Sequence, residues 1–235
     1  MSKAEQYLFP IADQPSVPVL GQHRLYPVSR IFCVGRNYAE HAKEMGVEVD
    51  REAPFYFLKP ATAIVPTGST IPYPPGTTNY HYEMELVVAI GASGFKVSRQ
   101  EAPSLVYAYG AGLDMTRRDL QLEARSKGRP WDLGKAFEQS AVVATMTRAA
   151  DVPSLDGRRI QLRVNREVKQ SAVLDDLVWK IDELISHLSR YYHLVPGDLI
   201  FTGTPAGVGP VVAGDIIEGT IDGLEPVRLT LRPAE

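Results

Sequence analysis

The sequence predicts a β-rich α+β fold, and three observations carry that prediction. Short apolar runs broken by turn residues recur along the chain, which holds 19 Gly and 18 Pro in 235 residues. Helical periodicity is confined to a few segments. No regular strand–helix alternation runs through the chain, which argues against a doubly wound sheet or a TIM barrel.

With 44% apolar and 23% charged residues, the chain has enough apolar surface to bury a real core. Its 25 Lys+Arg against 28 Asp+Glu give a net charge of -3, so no global field draws nucleic acid or an anionic membrane. The longest apolar run, 86–90, falls far short of the roughly 18 residues that span a bilayer. The first residues also lack the basic-then-apolar start of a signal peptide. A cytoplasmic protein is expected. The single cysteine, Cys33, excludes an internal disulfide and any multi-cysteine metal site, leaving carboxylates and five histidines as candidate ligands. Cys33 itself reads as buried packing.

Residues 1–30 carry Pro10, Pro15, Pro18 and Pro27 with little periodicity, and read as an extended arm or short strands on the surface of a main domain covering 31–235. Residues 31–35 form a short buried strand, after which Asn37 is placed to cap a helix running to Met45 and stopped by Gly46. Prolines punctuate irregular β structure over 54–75. Between 82 and 90, alternation puts Glu83, Glu85, Val87 and Ala89 on one strand face and Met84, Leu86, Val88 and Ile90 on the other. Residues 106–113 read as a strand ending at Asp114. Thr116 and Asp119 then have the spacing of a capping box for a helix to Lys127, stopped by Gly128 and Pro130. The clearest helical stripe is Leu177, Ile181, Leu184, Ile185, Leu188 and Tyr192. From Leu199 onward, strands and Gly/Asp turns alternate in the manner of a β-meander.

Several standard sites are absent. The chain has no GxSxG elbow, no GxxxxGK[ST] loop and no dinucleotide fingerprint, and one cysteine cannot complete the zinc set suggested by His81-Tyr82-Glu83. What remains is a carboxylate constellation. Glu83 and Glu85 share a strand face and repel unless a cation or proton intervenes, and Asp114 is a natural third ligand. Such an all-oxygen set suits Mg²⁺ or Mn²⁺, with Ca²⁺ also compatible, better than Zn²⁺. The competing reading is solvated acids on an edge strand, although the neighbours Met84, Leu86, Val87 and Val88 look buried on both faces.

His41 and Glu44, three apart on the short helix, can form a water-activating dyad or sit on a solvated face. Arg118 and Gln121 repeat that spacing and can clamp a substrate oxygen, or belong to a charged helix surface. Lys135, among aromatics in 131–137, can balance an oxyanion or lie on the surface. Thr204 can offer its hydroxyl from a Gly-rich loop or simply turn the chain.

Five ordered segments, 34–44 (VGRNYAEHAKE), 82–86 (YEMEL), 112–119 (GLDMTRRD), 131–137 (WDLGKAF) and 201–208 (FTGTPAGV), together resemble the fumarylacetoacetate hydrolase superfamily. Within it, the bacterial fumarylpyruvate hydrolases of the gentisate pathway and the acylpyruvases are the most similar branch. The resemblance implies the mixed β-roll of that family's C-terminal domain with a few peripheral helices, a homodimer, and a divalent metal held by Glu83, Glu85 and Asp114. It also implies a His41–Glu44 dyad on a lid, and substrate or oxyanion contacts from Arg118, Gln121, Lys135 and Thr204. Tyr82 departs from the pattern, standing where histidine is frequent.

The implied reaction is metal-dependent hydrolysis of a C–C bond in an acylpyruvate, best matched by fumarylpyruvate giving fumarate and pyruvate. A dyad-activated water attacks, and a metal- and Lys135-stabilised pyruvate enolate leaves. A second substrate carboxylate asks for a cation, for which Arg36 or Arg129 is available. The alternative is decarboxylation or tautomerisation of oxaloacetate at the same metal, chemistry that needs no attacking water. A non-catalytic oxo-acid binder would show a broken ligand set or dyad, and neither is found.

Overall fold

The structure, a computed structural model, describes residues 7–44 and 52–235. In chain order the elements are β1 (Ser16–Val17), β2 (Tyr26–Pro27), β3 (Arg30–Gly35), α1 (Ala39–Glu44), β4 (Phe55–Lys59), β5 (Ile64–Pro66), β6 (Ser69–Pro72), β7 (Tyr80–Tyr82), β8 (Met84–Ile90), β9 (Val106–Asp114), β10 (Thr116–Arg117), α2 (Arg118–Ser126), α3 (Asp132–Lys135), β11 (Ala141–Val143), β12 (Thr147–Arg148), β13 (Arg159–Val164), β14 (Glu167–Val173), α4 (Ile181–Leu188), β15 (Asp198–Phe201), β16 (Gly209–Val211), β17 (Ile216–Ile221) and β18 (Val227–Arg232). The β-rich α+β expectation is met. The largest sheet is mixed, in the order β4-β3-β15-β8-β9-β11-β5 with β12 beside β9, and a second runs β14-β13-β17-β18-β6. A small sheet, β10-β7-β16, sits at the site, and β1 pairs with β2.

β8 explains why the large sheet sits where it does. All seven of its residues are buried, as its unbroken apolar run requires. Met84 and Leu86 pack against Ile160, Leu162, Ile217 and Leu229 of the second sheet. Val88 and Ile90, further along the same face, meet Leu184, Ile185 and Leu188 of α4. On the opposite face, Val87 and Ala89 join Ile31, Cys33 and Phe201 with Val17, Val19, Tyr26 and Val28 from the N-terminal segment. These four residues anchor the N-terminal segment in the core, while Tyr7, Leu8, Phe9 and Ile11 before them are exposed. The Tyr26 hydroxyl lies 2.7 Å from Ile90 O and 2.9 Å from Asp198 O, tying it to two central strands.

Four local expectations are corrected. The strand expected over 82–90 breaks at Glu83, between β7 and β8, which pair in different sheets. Asn37 does not cap α1. Its Oδ1 accepts from Trp179 N (2.7 Å) and its Nδ2 donates to Thr202 O (2.8 Å), because the side chain is needed to join distant segments. Nor is there a Thr116–Asp119 capping box: Thr116 Oγ1 donates back to Asp114 O, and Asp119 accepts from Thr77 Oγ1 and Thr78 N. The C-terminal strands are not a meander. β15 enters the large sheet between β3 and β8, β16 pairs with β7, and only β17 and β18 are sequential neighbours, because the pairing partners of these strands lie far away in sequence.

The main helix also starts later than its apolar stripe. α4 begins at Ile181, where Glu183 caps Lys180 N at 3.0 Å. Leu177 is held instead by a β-bridge to Tyr38, and Tyr192 lies beyond the helix, packed on Phe32. Met45 and Gly46, read as the end of α1, lie outside the described residues.

One close approach fixes the central register. Gly112 of β9 faces Glu85 of β8, and a Cβ there would stand 2.5 Å from Val87 Cγ2 and 3.1 Å from Val142 O. Gly112→Ala should cost about 1–3 kcal/mol, the usual penalty of overpacking a core. Urea unfolding that shows no loss of stability would refute this account of the register.

Candidate active site

Strand register builds the acidic centre. β8 and β9 pair antiparallel with Met84 opposite Leu113, which carries Asp114 across from Glu83, and Asp114 N donates to Glu83 O at 2.9 Å. Glu85, two residues on, projects to the same side. The result is a set of carboxylates whose ligand atoms all lie within 4.8 Å of one another, with Glu83, Glu85 and Asp114 only 5%, 1% and 0% exposed. The edge-strand alternative is thereby excluded.

Buried cations hold two of the three acids. Lys135 Nζ donates to Glu83 Oε2 (2.8 Å), Asp114 Oδ2 (2.7 Å) and Thr116 Oγ1 (2.7 Å). Arg118 donates to Glu83 Oε1 and to Gln121 Oε1. Burial by itself would raise the Glu83 pKa, but Lys135 and Arg118 outweigh it and hold the carboxyl well below the usual range. Lys135 shows the same balance with the opposite sign. Burial works against its charge, yet Asp114 and Glu83 raise its pKa above that of a free lysine.

Glu85 is different. Its Oε2 accepts from Gly203 N at 2.7 Å, and among the described residues no lysine or arginine is ion-paired with it. Burial, with Asp114 and Glu83 beside it, pushes its pKa well up. Gly203 can come this close because it adopts φ 100° and a Cβ would stand 2.7 Å from Asn37 Cβ. Asp114 Oδ1 lies 2.9 Å from Lys59 Nζ but makes no aligned hydrogen bond. An under-compensated carboxylate and an unbonded carboxylate oxygen, in an all-oxygen cluster, fit a hard divalent cation.

His41 and Glu44 meet as their spacing suggests. His41 Nδ1 lies 3.2 Å from Glu44 Oε2, and Gly207 N donates to the same carboxylate. Burial lowers the His41 pKa, only partly opposed by Glu83 and Glu44. His81 is likewise held neutral, its pKa pushed down to about 4 by burial and the nearby Arg118. The cleft is lined by Arg36, His41, Glu83, Glu85, Arg118, Gln121, Lys135 and Thr204, joined by Phe57, Arg125 and Trp131. Of the remaining expected residues, Glu44 meets His41 and Asp114 accepts from Lys135. Arg129 lines an adjoining cavity with Phe55 and Pro130.

Two supporting residues were not foreseen. Lys59 is 2% exposed and donates to Met115 O and Lys135 O besides approaching Asp114. Its signal was faint: it follows Phe55 and Phe57 at the strand period, so it shares their face. Gln170, 1% exposed, accepts from Met84 N (3.0 Å) and donates to Thr204 Oγ1 (2.8 Å) and Pro205 O (2.7 Å). Nothing in the sequence marks it, since its partners lie 34 and more residues away.

A family model described as fumarylacetoacetate hydrolase C-terminal matches residues 30–232. The chain belongs to the fumarylacetoacetate hydrolase family. A fumarylpyruvate hydrolase of a Ralstonia species is 54% identical over 193 residues, 81% of this chain and 100% of that protein. The human mitochondrial oxaloacetate tautomerase is 43% identical over 205 residues, 87% of this chain and 92% of the relative. The crystal structure of fumarylpyruvate hydrolase from Pseudomonas aeruginosa in complex with Mn²⁺ and pyruvate matches with a TM-score of 0.93 at 46% identity, covering 97% of this chain and 99% of that one. The family likeness read from the five sequence segments is thus borne out, as is a divalent-metal site.

The electrostatics give a test of the acidic centre. With no cation bound, a Glu85 carboxyl raised above its unfolded value loses stability as pH rises from the ordinary carboxylate range toward neutrality. Glu85→Gln should abolish that loss, raising the metal-free melting temperature at pH 7 while weakening Mn²⁺ binding at least 100-fold by calorimetry. A variant that melts lower without metal, or binds Mn²⁺ as tightly as wild type, would contradict this balance.

Proposed function

We propose that this carbon–carbon bond hydrolase acts on an acylpyruvate, with fumarylpyruvate the best match, giving fumarate and pyruvate. The observation that carries the reading is the His41–Glu44 dyad opening on the same cleft as three clustered carboxylates. The likeness to fumarylpyruvate hydrolases along nearly the whole chain supports it.

A divalent ion held by Glu83, Glu85 and Asp114 would supply Lewis-acid polarisation of the substrate's 2-oxo group and offset negative charge growing there. The rest is work for the protein. Glu44 takes the Nδ1 proton of His41 in a hydrogen bond and fixes the tautomer, leaving Nε2 as the base. Burial keeps that imidazole neutral, so it can remove a proton from water as the water oxygen attacks the distal carbonyl. The bond between that carbonyl carbon and the methylene carbon then breaks. Its electron pair passes to the pyruvate fragment as an enolate, which the Lys135 ammonium stabilises. His41 returns its proton to the methylene carbon, and the acyl fragment leaves as the acid. Arg118, tied to Glu83, and Thr204, tied to Gln170, position the substrate with Gln121.

The tautomerase relatives favour a second reading, in which the same carboxylate centre enolises oxaloacetate. That reaction needs the acids but no water activator, so the intact dyad favours hydrolysis. On the family resemblance, the enzyme works as a homodimer on the gentisate branch of aromatic catabolism, with Mg²⁺ or Mn²⁺.

Ultraviolet-monitored loss of fumarylpyruvate, acetylpyruvate and oxaloacetate tests the assignment. EDTA-treated protein should be inactive and regain fumarylpyruvate cleavage with Mn²⁺ or Mg²⁺. His41→Ala should lose about 10²–10⁴-fold of that cleavage, the range for a positioned base, while sparing turnover of oxaloacetate. Preferential loss of oxaloacetate by wild type would move the enzyme to the tautomerase branch.

The pH profile is a separate check. Because the base must be neutral and burial lowers its pKa, kcat/KM should hold as pH falls to about 6.5, the ordinary imidazole value, and decline only below it. An acid limb centred above that value would argue against His41 as the base.

A further inference from the structure

The segment after β15 serves three groups of the cleft at once. Gly203 N donates to Glu85, Thr204 lines the cleft, and Gly207 N donates to Glu44. Residues 202–208 belong to no helix or strand, so the loop is placed by what it leans on. That support is β14, at the edge of the second sheet. Gly207 adopts φ 93°, and a Cβ on it would collide with Lys169 O, so the loop backbone lies directly against the strand. The next residue of β14 is Gln170, whose buried side chain crosses the seam.

Two backbone groups fix which way the Gln170 amide points. Its Oε1 accepts from Met84 N at 3.0 Å, a group that can only donate, and its Nε2 donates to Pro205 O at 2.7 Å, a group that can only accept. Turning the amide over would break both bonds and set N–H against N–H and oxygen against oxygen. Nε2 carries a second proton, which goes to Thr204 Oγ1 at 2.8 Å. The Thr204 oxygen is therefore an acceptor on the side facing β14, and its own proton is barred from that direction. No acceptor for that proton is found among the described residues, and the side of the hydroxyl left open is the cleft.

A donor of this kind is scarce in the cleft. The three protons of Lys135 Nζ are taken by Glu83, Asp114 and Thr116, so its charge acts on a bound molecule while its hydrogen bonds are already spent. Thr204 directly follows Gly203, which holds Glu85, so it stands beside the acidic centre.

We propose that Gln170 is a positioning residue: by occupying one lone pair of Thr204 Oγ1, it aims the hydroxyl proton at an oxygen of the oxo-acid end of the bound substrate. A donor already oriented toward an oxygen that gains negative charge needs no rearrangement as the enolate forms. The role concerns how the site holds an oxo acid, and it rests on the acylpyruvate reading only for its effect on turnover.

A double-mutant cycle tests it. Calorimetry of the Mn²⁺-loaded protein gives the pyruvate affinity of wild type, Gln170→Leu, Thr204→Val and the double variant. Thr204→Val should weaken pyruvate about 10-fold or more, as expected for a lost hydrogen bond to a charged oxygen. Gln170→Leu should weaken it about 5- to 10-fold with Thr204 present but less than about 2-fold in the Thr204→Val background, where no proton is left to aim. Equal losses in the two backgrounds would show that Gln170 only props the loop, and would overturn the proposal. The same cycle on kcat/KM for fumarylpyruvate should be non-additive in the same sense. If fumarylpyruvate is not cleaved but the pyruvate cycle is non-additive, the substrate reading fails and the positioning role stands.

Gln170→Leu also strands Met84 N and Pro205 O, so a measurement on wild type covers the case in which the variant does not fold. A crystal structure with Mn²⁺ and pyruvate should place Thr204 Oγ1 in hydrogen-bonding distance of a pyruvate oxygen with Gln170 Nε2 still bonded to it. A Thr204 hydroxyl out of reach of pyruvate, or released by Gln170, overturns the proposal.

Discussion

Three carboxylates forced together in a dry interior are the constraint around which this protein is arranged. Like charges at such separations cannot all stay ionised without compensation. Glu83 and Asp114 are compensated by the protein itself, through Lys135, Arg118 and Lys59, whereas Glu85 receives one backbone amide. The lysines do more than neutralise. Lys59, from β4 at the edge of the large sheet, also binds the carbonyls of Met115 and Lys135, so one ammonium joins the sheet edge to the segments after β9 and at the end of α3. Removing either member of such a buried pair would strand a charge in low dielectric, which makes the acidic centre a structural keystone as well as a site.

The surrounding fold turns that centre into a cleft with two differently built sides. The acids and their cations sit on paired strands, where register fixes their positions. His41 and Glu44 sit on a six-residue helix whose carboxylate is anchored by Gly207, and Thr204 belongs to the same loop. Gln170 stitches that loop to the start of β8, and Asn37 stitches the segment before α1 to Thr202 and Trp179. The His41–Glu44 pair, the proposed acid–base dyad, is thus tied by side-chain hydrogen bonds to the same strands that carry the carboxylates.

A family whose members include both C–C hydrolases and oxaloacetate tautomerases fits this division of labour. In the proposed mechanism, enolate stabilisation falls to the strand-borne centre, and hydrolysis adds His41 beside it. The rim of the cleft draws aromatic and arginine side chains from β4, α2, the turn after β3 and the segment before α3. Because β4 and α2 also carry Lys59 and Arg118, which hold Asp114 and Glu83, the rim and the acidic centre are built from shared elements.

How much of this was legible in the sequence differs residue by residue. The alternation around Glu83 and Glu85, the apolar run that buries them and the i,i+3 spacing of His41 and Glu44 are local, so the sequence alone put two acids on one face and His41 beside Glu44, while leaving open whether that pair reacts or is solvated. Asp114, Arg118, Gln121, Lys135 and Thr204 were candidates from their own chemistry, and the ordered segments joined them into one site by family resemblance. Other features could not be read that way. Asn37 and Thr116 looked like helix caps because short polar residues before helices usually are, but each found a stronger partner far away in sequence or in the preceding strand. Lys59 and Gln170 matter only because sheet pairing brings β4 and β14 to the acids, and the C-terminal strands parted into three sheets because their pairing partners β3, β7, β8 and β13 are distant in sequence. Local spacing and side-chain chemistry determined which groups could react; the tertiary structure alone decided which buried charges face one another, since that depends on strand order and register between segments that no local pattern connects.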